Sequence, residues 1–180
     1  MKGCMATDRQ KAETVHWHAV FTASRAEKKV RDRLEELGVE CFLPVQTVLR
    51  QWTYRKSRVV VPVIAGLVFV RVGRQEQVKV LQTKGVVAFL RLKGEAGAAV
   101  IPDKQMEDFR FLLDFSEEAV EMTNENIKAG DLVRVVKGSL RGMEGELIRH
   151  KGVTKVLVRI DMLGCAMVNI PASFVEKLNK

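Results

Sequence analysis

The sequence predicts an α+β protein: an α/β sandwich with an antiparallel sheet, followed by a small SH3-like β-barrel. The first hundred or so residues alternate short apolar strands with amphipathic helices. After residue 127 the apolar residues alternate with period two between glycines, which is typical of short strands. An acidic stretch with few large apolar residues separates the two patterns. The chain of 180 residues is long enough for two such units.

The predicted sandwich begins with a strand at Trp17–Thr22, a short apolar run with aromatic residues. A capping box at Ser24 and Glu27 predicts the start of the first helix, and Gly38 predicts its end. The apolar stripe of this helix has spacings of four, four and three, which predicts one buried face made of Ala26, Val30, Leu34 and Leu37.

The next segment predicts an extended structure interrupted twice. Val39–Leu49 is predicted as a strand, with Pro44 at an edge or bend. Arg50–Arg58 is predicted as a basic loop that contains two aromatic residues. Val59–Val72 is predicted as two strands with a break at Ala65 and Gly66.

Two more helices and one strand complete the predicted sandwich, a split βαβ arrangement over residues 16–115. Gln75–Lys84 predicts a short helix with Val78 and Leu81 at helical spacing, and Val87–Leu92 predicts a strand. Asp103 is a predicted cap for the last helix. The apolar side of that helix consists of Met106, Phe109, Leu112 and Leu113.

Residues 116–127 are predicted to be an acidic linker, and residues 128–180 the barrel. Glycines supply the turns between short strands in the barrel. The strands are predicted at Leu132–Val136, Met143–Arg149, Val156–Asp161 and Met167–Ile170.

Charge is distributed unevenly along the chain. There are 30 Lys and Arg residues and 22 Asp and Glu residues, a net charge of +8. Counted along the sequence, residues 1–102 have a net charge of +9, residues 103–127 of −6 and residues 128–180 of +5. Two basic units joined by an acidic segment favour a polyanionic partner, and nucleic acid is the first candidate. Simple solubility is the alternative that the charge leaves open.

Several functional classes lack support in the sequence. No apolar stretch approaches the roughly 20 residues of a membrane span. Residues 1–15 are expected to be a flexible leader without the apolar core of a signal peptide, so we expect a cytoplasmic protein. Cys4, Cys41 and Cys165 have no metal-ligand spacing, and the three histidines have no clustered carboxylates or thiols. We therefore expect no cofactor, no metal, no membrane partner and no enzymatic activity.

Specific motifs then point to a family. Gly130-Asp-Leu-Val-Arg-Val, followed by Gly138, Gly142 and Gly145, resembles the KOW motif of small bent barrels. The segments Trp17–Pro44, Val61–Val72 and Gly85–Leu92 resemble the N-terminal (NGN) domain of NusG-type transcription elongation factors. The sequence RQWTYRK in the basic loop is similar to specialised paralogues, the UpxY group that antiterminates capsular polysaccharide operons and, more distantly, RfaH.

The resemblance implies a transcription factor that holds the RNA polymerase clamp closed and thereby suppresses pausing and termination. It implies an apolar polymerase-binding surface, and the matching positions are Phe21, Ile64, Leu67 and Phe89. The break, which in the family is commonly an aromatic residue followed by Pro-Gly-Tyr, is Ile64-Ala65-Gly66-Leu67 here, so there are fewer aromatic anchors. The alternative for each of the four residues is an ordinary place in the core.

The resemblance also implies contact with upstream or non-template DNA, through Arg25, Lys28, Lys29 and Lys84. In the basic loop, aromatic and cationic groups together are typical of single-strand binding to DNA or nascent RNA. The candidate residues there are Trp52, Arg55 and Lys56. A solvated helix face, an ordinary hairpin with a packed Trp, and contact of the loop with polymerase or another factor are the alternatives.

In the barrel, Leu163 matches the position that contacts the termination factor Rho or a small ribosomal protein in general NusG proteins. Cys165 stands where an Arg is usual, so Rho binding does not follow. As in RfaH, the barrel or the acidic linker could cover the Phe21 region, although the Gly-rich, β-patterned C-terminal unit predicts a stable barrel. The alternatives are a general NusG-like elongation factor and a KOW-mediated RNA- or ribosome-binding protein.

Overall fold

A computed structural model of the chain describes residues 14–52, 55–123, 127, 128, 130–161 and 163–178. The first unit is built on a four-stranded antiparallel sheet with the strand order β2-β5-β1-β6, which we call the N-terminal sheet. Its strands are β1 (His16–Thr22), β2 (Glu40–Phe42), β5 (Leu67–Val72) and β6 (Val86–Phe89). The strands predicted at Trp17–Thr22 and Val87–Leu92 are confirmed, with small shifts at their ends.

Helices α1 (Glu27–Glu36) and α2 (Glu76–Gln82) cover one face of this sheet. At the end of α1, the N–H of Gly38 donates to Glu35 O and the N–H of Val39 to Leu34 O. These two bonds form a Schellman motif, and Gly38 has the positive φ of 75° that the motif requires. The predicted C-terminal glycine is therefore confirmed.

The predicted capping box is wrong. Ala26 is the N-cap of α1 and makes no side-chain capping bond. Glu27 does not reach back to the helix N-terminus, because its Oε1 accepts a hydrogen bond of 2.7 Å from the N–H of Gly66. The Glu27 carboxylate therefore makes a long-range hydrogen bond instead of the capping bond that the local pattern predicted.

Two predicted apolar faces are also only partly correct. Leu37, at the end of the α1 stripe, is exposed, since the helix turns away at the Schellman motif. In α2 the buried residue is Val80, whereas Val78 and Leu81 are exposed. Helix α2 buries a single residue, Val80. One buried position gives no repeating apolar spacing, so sequence periodicity cannot identify the buried face.

The predicted strand Val39–Leu49 is divided between two sheets. After β2 the chain bends at Leu43 and Pro44 and enters β3 (Val45–Trp52), which pairs with β4 (Arg55–Pro62) in a separate hairpin. The predicted basic loop Arg50–Arg58 is therefore wrong: all of its described residues belong to the two strands. Tyr54 lies outside the described residues.

The second unit is a six-stranded antiparallel sheet with the order β12-β8-β9-β10-β11-β7, which we call the C-terminal sheet. Helix α3 (Asp103–Phe115) precedes it, and a 3-10 turn at Ala172–Phe174 leads into its last strand. The segment predicted as a linker contains the first strand, which pairs with β11. The strands are β7 (Glu121–Thr123), β8 (Asp131–Val135), β9 (Glu144–His150), β10 (Val153–Ile160), β11 (Gly164–Asn169) and β12 (Val175–Lys177).

The two units share one apolar core. Phe69 of the N-terminal sheet, Phe109 of α3 and Val158 of the C-terminal sheet belong to the same buried cluster. Two backbone N–H groups donate to glutamine side chains across the junction: that of Val120 to Gln46 Oε1 and that of Asp161 to Gln105 Oε1, each at 2.9 Å. The architecture is therefore a mixed α/β fold with antiparallel sheets, as predicted, and its second unit packs against the first.

Candidate functional site

An apolar surface forms where β1 ends and β5 begins. Phe21 is paired with Leu67 across these strands, so both side chains lie on the same face of the N-terminal sheet. Leu67 is buried, whereas 42% of Phe21 remains exposed. Val63, Ile64 and Leu90 line the same cavity beside them. We call these five residues the Phe21 surface.

The C-terminal unit closes the other side of this cavity. Met122, in β7, and Leu163, in the turn before β11, line it together with the Phe21 surface. The cavity has a volume of about 370 Å³. The structure thus brings together Phe21, Ile64 and Leu67 with Leu163, which the sequence had assigned to a different partner.

Phe89 does not belong to this group. It is paired with Val20 on β1 and therefore lies on the opposite face from Phe21. It is buried in the cluster beneath α1 and α2, and its ring meets that of His18 edge to face at 5.8 Å. The structure therefore places Phe89 in the core of the first unit.

Sequence reasoning missed four residues of the cavity, one of which, Ala65, was assigned only to the break in the chain. Val63 and Leu90 flank the predicted positions, and Met122 comes from the segment predicted to be a linker. The N–H of Leu90 donates to Ala19 O, which places its side chain on the same face as Phe21. Alternation along β6 could have identified Leu90, whereas no local pattern indicates that Met122 lies there.

The predicted nucleic-acid residues on α1 occupy an exposed basic edge. Lys28, Lys29 and Lys84 are all exposed. The Nη1 of Arg33 donates to Lys84 O at 2.6 Å, which joins α1 to the loop before β6. Arg25 is exposed in the turn before α1 with a positive φ of 57°. These residues place positive charge beside the Phe21 end of the sheet.

The hairpin of β3 and β4 holds the second predicted group. Trp52 and Arg55 are the last paired residues at its tip, and their side chains lie outside the described part of the chain. Lys56 is exposed one position further along β4. The Nζ of Lys28 donates to Val60 O at 3.3 Å, so the hairpin and the basic edge of α1 lie next to each other.

Within the described residues there is no group of three or more His, Cys, Asp or Glu that could hold a metal ion. The same residues include no helix that is long and apolar enough to cross a bilayer. Burial raises the pKa of the Cys41 thiol to about 11, so this thiol is unreactive at neutral pH.

Comparisons with known proteins agree with this geometry. The family model described as "Transcription termination factor nusG" matches residues 15–110, more than half of the chain. The structure described as "Domain interaction in Thermotoga maritima NusG" is 22% identical with a TM-score of 0.50, covering 92% of this chain and 98% of that chain. A chain of the MjSpt4:Spt5 complex (conformation B) is 18% identical, with 91% and 97% covered, but its TM-score is only 0.29.

No curated protein sequence matches this chain significantly. The family match covers the first unit, where the N-terminal sheet, α1 and α2 lie, and the likeness to the Thermotoga maritima structure extends the similarity in fold over both units. The chain therefore belongs to the NusG family of transcription factors.

Proposed function

We propose that this protein binds RNA polymerase through the Phe21 surface and acts there as an elongation and antitermination factor. The observation that supports this is the exposed Phe21 in an apolar cavity with Ile64 and Leu67, positions that the resemblance to NusG-type factors assigns to polymerase binding. An exposed aromatic ring surrounded by apolar side chains is typical of a protein-binding hot spot. Phe89 contributes to binding indirectly, because it belongs to the core that holds β1 and β6 in position.

We further propose that the basic edge contacts nucleic acid held by the polymerase. Lys28, Lys29 and Lys84 are exposed on one side of the Phe21 surface, and Lys56 extends this charge along the hairpin. Cations at this position would meet phosphates of upstream or non-template DNA, or of nascent RNA, when the apolar surface is bound. Trp52, Arg55 and Arg25 are proposed to take part in the same contact.

In this proposal the C-terminal unit is a KOW barrel that masks the polymerase-binding surface. Met122 and Leu163 occupy the side of the cavity that polymerase would need. The same contact hides Leu163, the proposed binding residue for a small ribosomal protein. Each partner would therefore favour the separated state and assist the other, as linkage requires. The proposed division is a leader at 1–15, a first domain at 16–115, a linker at 116–127 that also contributes β7 to the C-terminal sheet, and a KOW domain at 128–180.

The specialised assignment rests on the hairpin sequence. RQWTYRK at 50–56 resembles the UpxY group, so we propose that the target is a capsular polysaccharide operon in a bacterial cytoplasm. A general elongation factor of the NusG family is the second candidate, and family membership alone favours it equally.

Binding to core RNA polymerase tests the main proposal. We expect core polymerase to retain the full chain but not the Phe21→Glu variant. The reason is that burying a carboxylate without a partner in an apolar contact costs too much free energy. Val153→Glu is a matched control, since Val153 is 46% exposed and does not line the cavity. Both variants are also made in a Leu163→Glu chain so that masking does not hide the effect. Equal retention of the Phe21→Glu and Val153→Glu chains would overturn the proposal.

Transcription in vitro across a terminator then distinguishes the two candidate functions. A specialised factor increases readthrough on a template with its own operon leader and has little effect on an unrelated leader. A general elongation factor acts on both templates to the same extent.

A further inference from the structure

A second cavity lies at the other end of β1 from Phe21. It is a cleft of about 580 Å³ between the start of β1, helix α2 and the chain that follows β6. This volume is in the range of small-molecule sites. We call it the basic cleft, and its lining includes His16, Arg74, Gln77, Leu81, Arg91 and Val100.

The polar groups of the cleft favour an anion. Arg74 lines it from the turn between β5 and α2, and Arg91 from the chain after β6. No Asp or Glu is among the lining residues of the cleft. Both arginines are exposed, and within the described part of the chain neither guanidinium makes an ion pair or a hydrogen bond. Two guanidinium groups without carboxylate partners are free to bind phosphate oxygens bidentately.

The apolar groups of the cleft favour a ligand with a flat face. Leu81 is 42% exposed and Val100 is 48% exposed, and both border the cleft beside the two arginines. Opposite α2, the wall at Ala96, Gly97 and Ala98 has only small side chains, and a Cβ on Gly97 would have no neighbour within 4 Å. A planar base therefore has both room and an apolar surface to stack on.

The floor of the cleft is fixed by a buried histidine. Because His18 Nδ1 faces the carbonyl oxygen of Ala99 at 2.8 Å, this nitrogen holds the proton and donates it. The Nε2 of His18 then accepts from the side-chain amide of Gln77 at 3.4 Å. Burial lowers the pKa of His18, so the imidazole stays neutral. His18 thus joins β1, α2 and the wall at 96–98, and the positive charge is left to the arginines.

We propose that the basic cleft binds one nucleotide of a single-stranded nucleic acid. Arg74 and Arg91 hold its phosphate, and the base lies between the apolar rim of Leu81 and Val100 and the small wall at 96–98. This site is separate from the basic edge formed by Lys28, Lys29 and Lys84, because its residues come from the opposite end of β1. It gives the protein a nucleic-acid contact that does not require polymerase.

Fluorescence anisotropy with the full chain tests the proposal. The probes are labelled 12-nucleotide single strands of RNA and of DNA, with an unlabelled nucleoside monophosphate as competitor. We expect Arg74→Gln combined with Arg91→Gln to weaken binding about tenfold or more, and to reduce the salt slope by about 0.7 for each phosphate that is no longer neutralised. Gly97→Asp should weaken binding similarly, because it places a carboxylate in the cleft at a position with free space.

Lys79→Gln combined with Lys93→Gln is the matched control. It removes the same charge from α2 and from the chain after β6, but neither lysine lines the cleft. The proposal is overturned if this control weakens binding as much as the arginine pair does, or if neither pair nor Gly97→Asp changes it. Tighter binding of the RNA or of the DNA probe identifies the source of the nucleotide. If the nucleoside monophosphate competes with the same affinity as the strands, the ligand is a free nucleotide instead. Polymerase retention should not change in any of these variants, so failure here is distinct from failure of the Phe21 surface.

Discussion

The two faces of the N-terminal sheet use the same strands for different purposes. On one face, Val20 and Val68 pack beneath Val30 and Leu34 of α1, and the whole cluster is formed by residues of the first unit. On the other face, Ala19 and Phe69 belong to a cluster that continues through α3 into the C-terminal sheet. That second face ends at Phe21, which is partly exposed.

The difference shows which apolar contacts are permanent. A face covered by helices of its own unit must stay closed for the unit to fold, since nothing else can replace them. A face covered by a separate unit resembles a protein–protein interface, in which one partner can replace another. Period-two alternation along β1 places Val20 and Phe21 in these two settings although they are neighbours in sequence.

The largest expected effect separates the two faces by stability. Leu34→Ala should lower the free energy of unfolding by about 2–5 kcal/mol, because Leu34 is completely buried and its removal leaves a cavity. Phe21→Ala should cost less than about 1.5 kcal/mol, because that ring is already partly in water. Urea denaturation followed by circular dichroism measures both values. Equal losses would show that the Phe21 face is as permanent as the other.

The next effect concerns the unit that covers the second face. Leu163→Glu should place a carboxylate in the apolar cavity and favour separation of the two units. If the cavity contact masks the Phe21 surface, affinity for polymerase should rise by about 5- to 150-fold, the usual range of coupling. Leu132→Glu is the control, since Leu132 is exposed on the C-terminal sheet and does not line the cavity. Unchanged or lower affinity in the Leu163 variant would contradict masking.

The sequence predicted features that follow from local patterns and missed features that depend on contacts between distant parts of the chain. Trp17–Thr22, the Val30 and Leu34 stripe and Gly38 follow from local rules, and the structure confirms them. The role of Glu27 did not follow, because its partner Gly66 is 39 residues away. A long-range hydrogen bond leaves no trace in local periodicity.

The candidate site divides in the same way. Phe21, Ile64 and Leu67 were placed together by resemblance, and they do share one cavity. Phe89 was grouped with them although strand register puts it on the other face, a distinction that requires the pairing with Val20. Met122 and Leu163 line the cavity because of the way the two units pack against each other. Sequence patterns within each unit do not define this packing.

A smaller effect concerns an ion pair within the unit that covers the second face. Both carboxylate oxygens of Glu146 accept from Arg159, at 2.6 and 2.9 Å, and Oε2 also accepts from Gly130 N at 3.0 Å. These bonds, with the Arg159 side chain first, hold the pKa of Glu146 below its ordinary value of 4.5. Because the folded pKa is the lower one, the stabilisation is present above pH 4.5 and disappears as the pH falls through the folded value.

Glu146→Gln should therefore cost about 1–2 kcal/mol at pH 7 and less at an acidic pH below the folded pKa, where the wild-type carboxyl is protonated as well. Unfolding curves at the two pH values measure the difference. Glu144→Gln is the matched control, since Glu144 also pairs with an arginine but 41% of its side chain is exposed, against 16% for Glu146, and its loss should have little effect at either pH. A Glu146 variant with equal loss at both pH values would show that the pair acts through packing rather than charge.

The last expected effect concerns a side chain that connects the two faces. Glu27 belongs to α1, which covers the permanent face, yet its carboxylate holds the N–H of Gly66 next to Ile64 and Leu67 of the Phe21 surface. Glu27→Gln keeps an acceptor oxygen but removes the charge, so we expect a loss of only about 0.5–1 kcal/mol in stability. Glu27→Ala leaves that N–H without its partner and should cost about 1–3 kcal/mol. If the bond positions the break, polymerase affinity should fall in the alanine variant and recover in the glutamine variant, whereas equal affinity in both would show that the Phe21 surface holds its shape without α1.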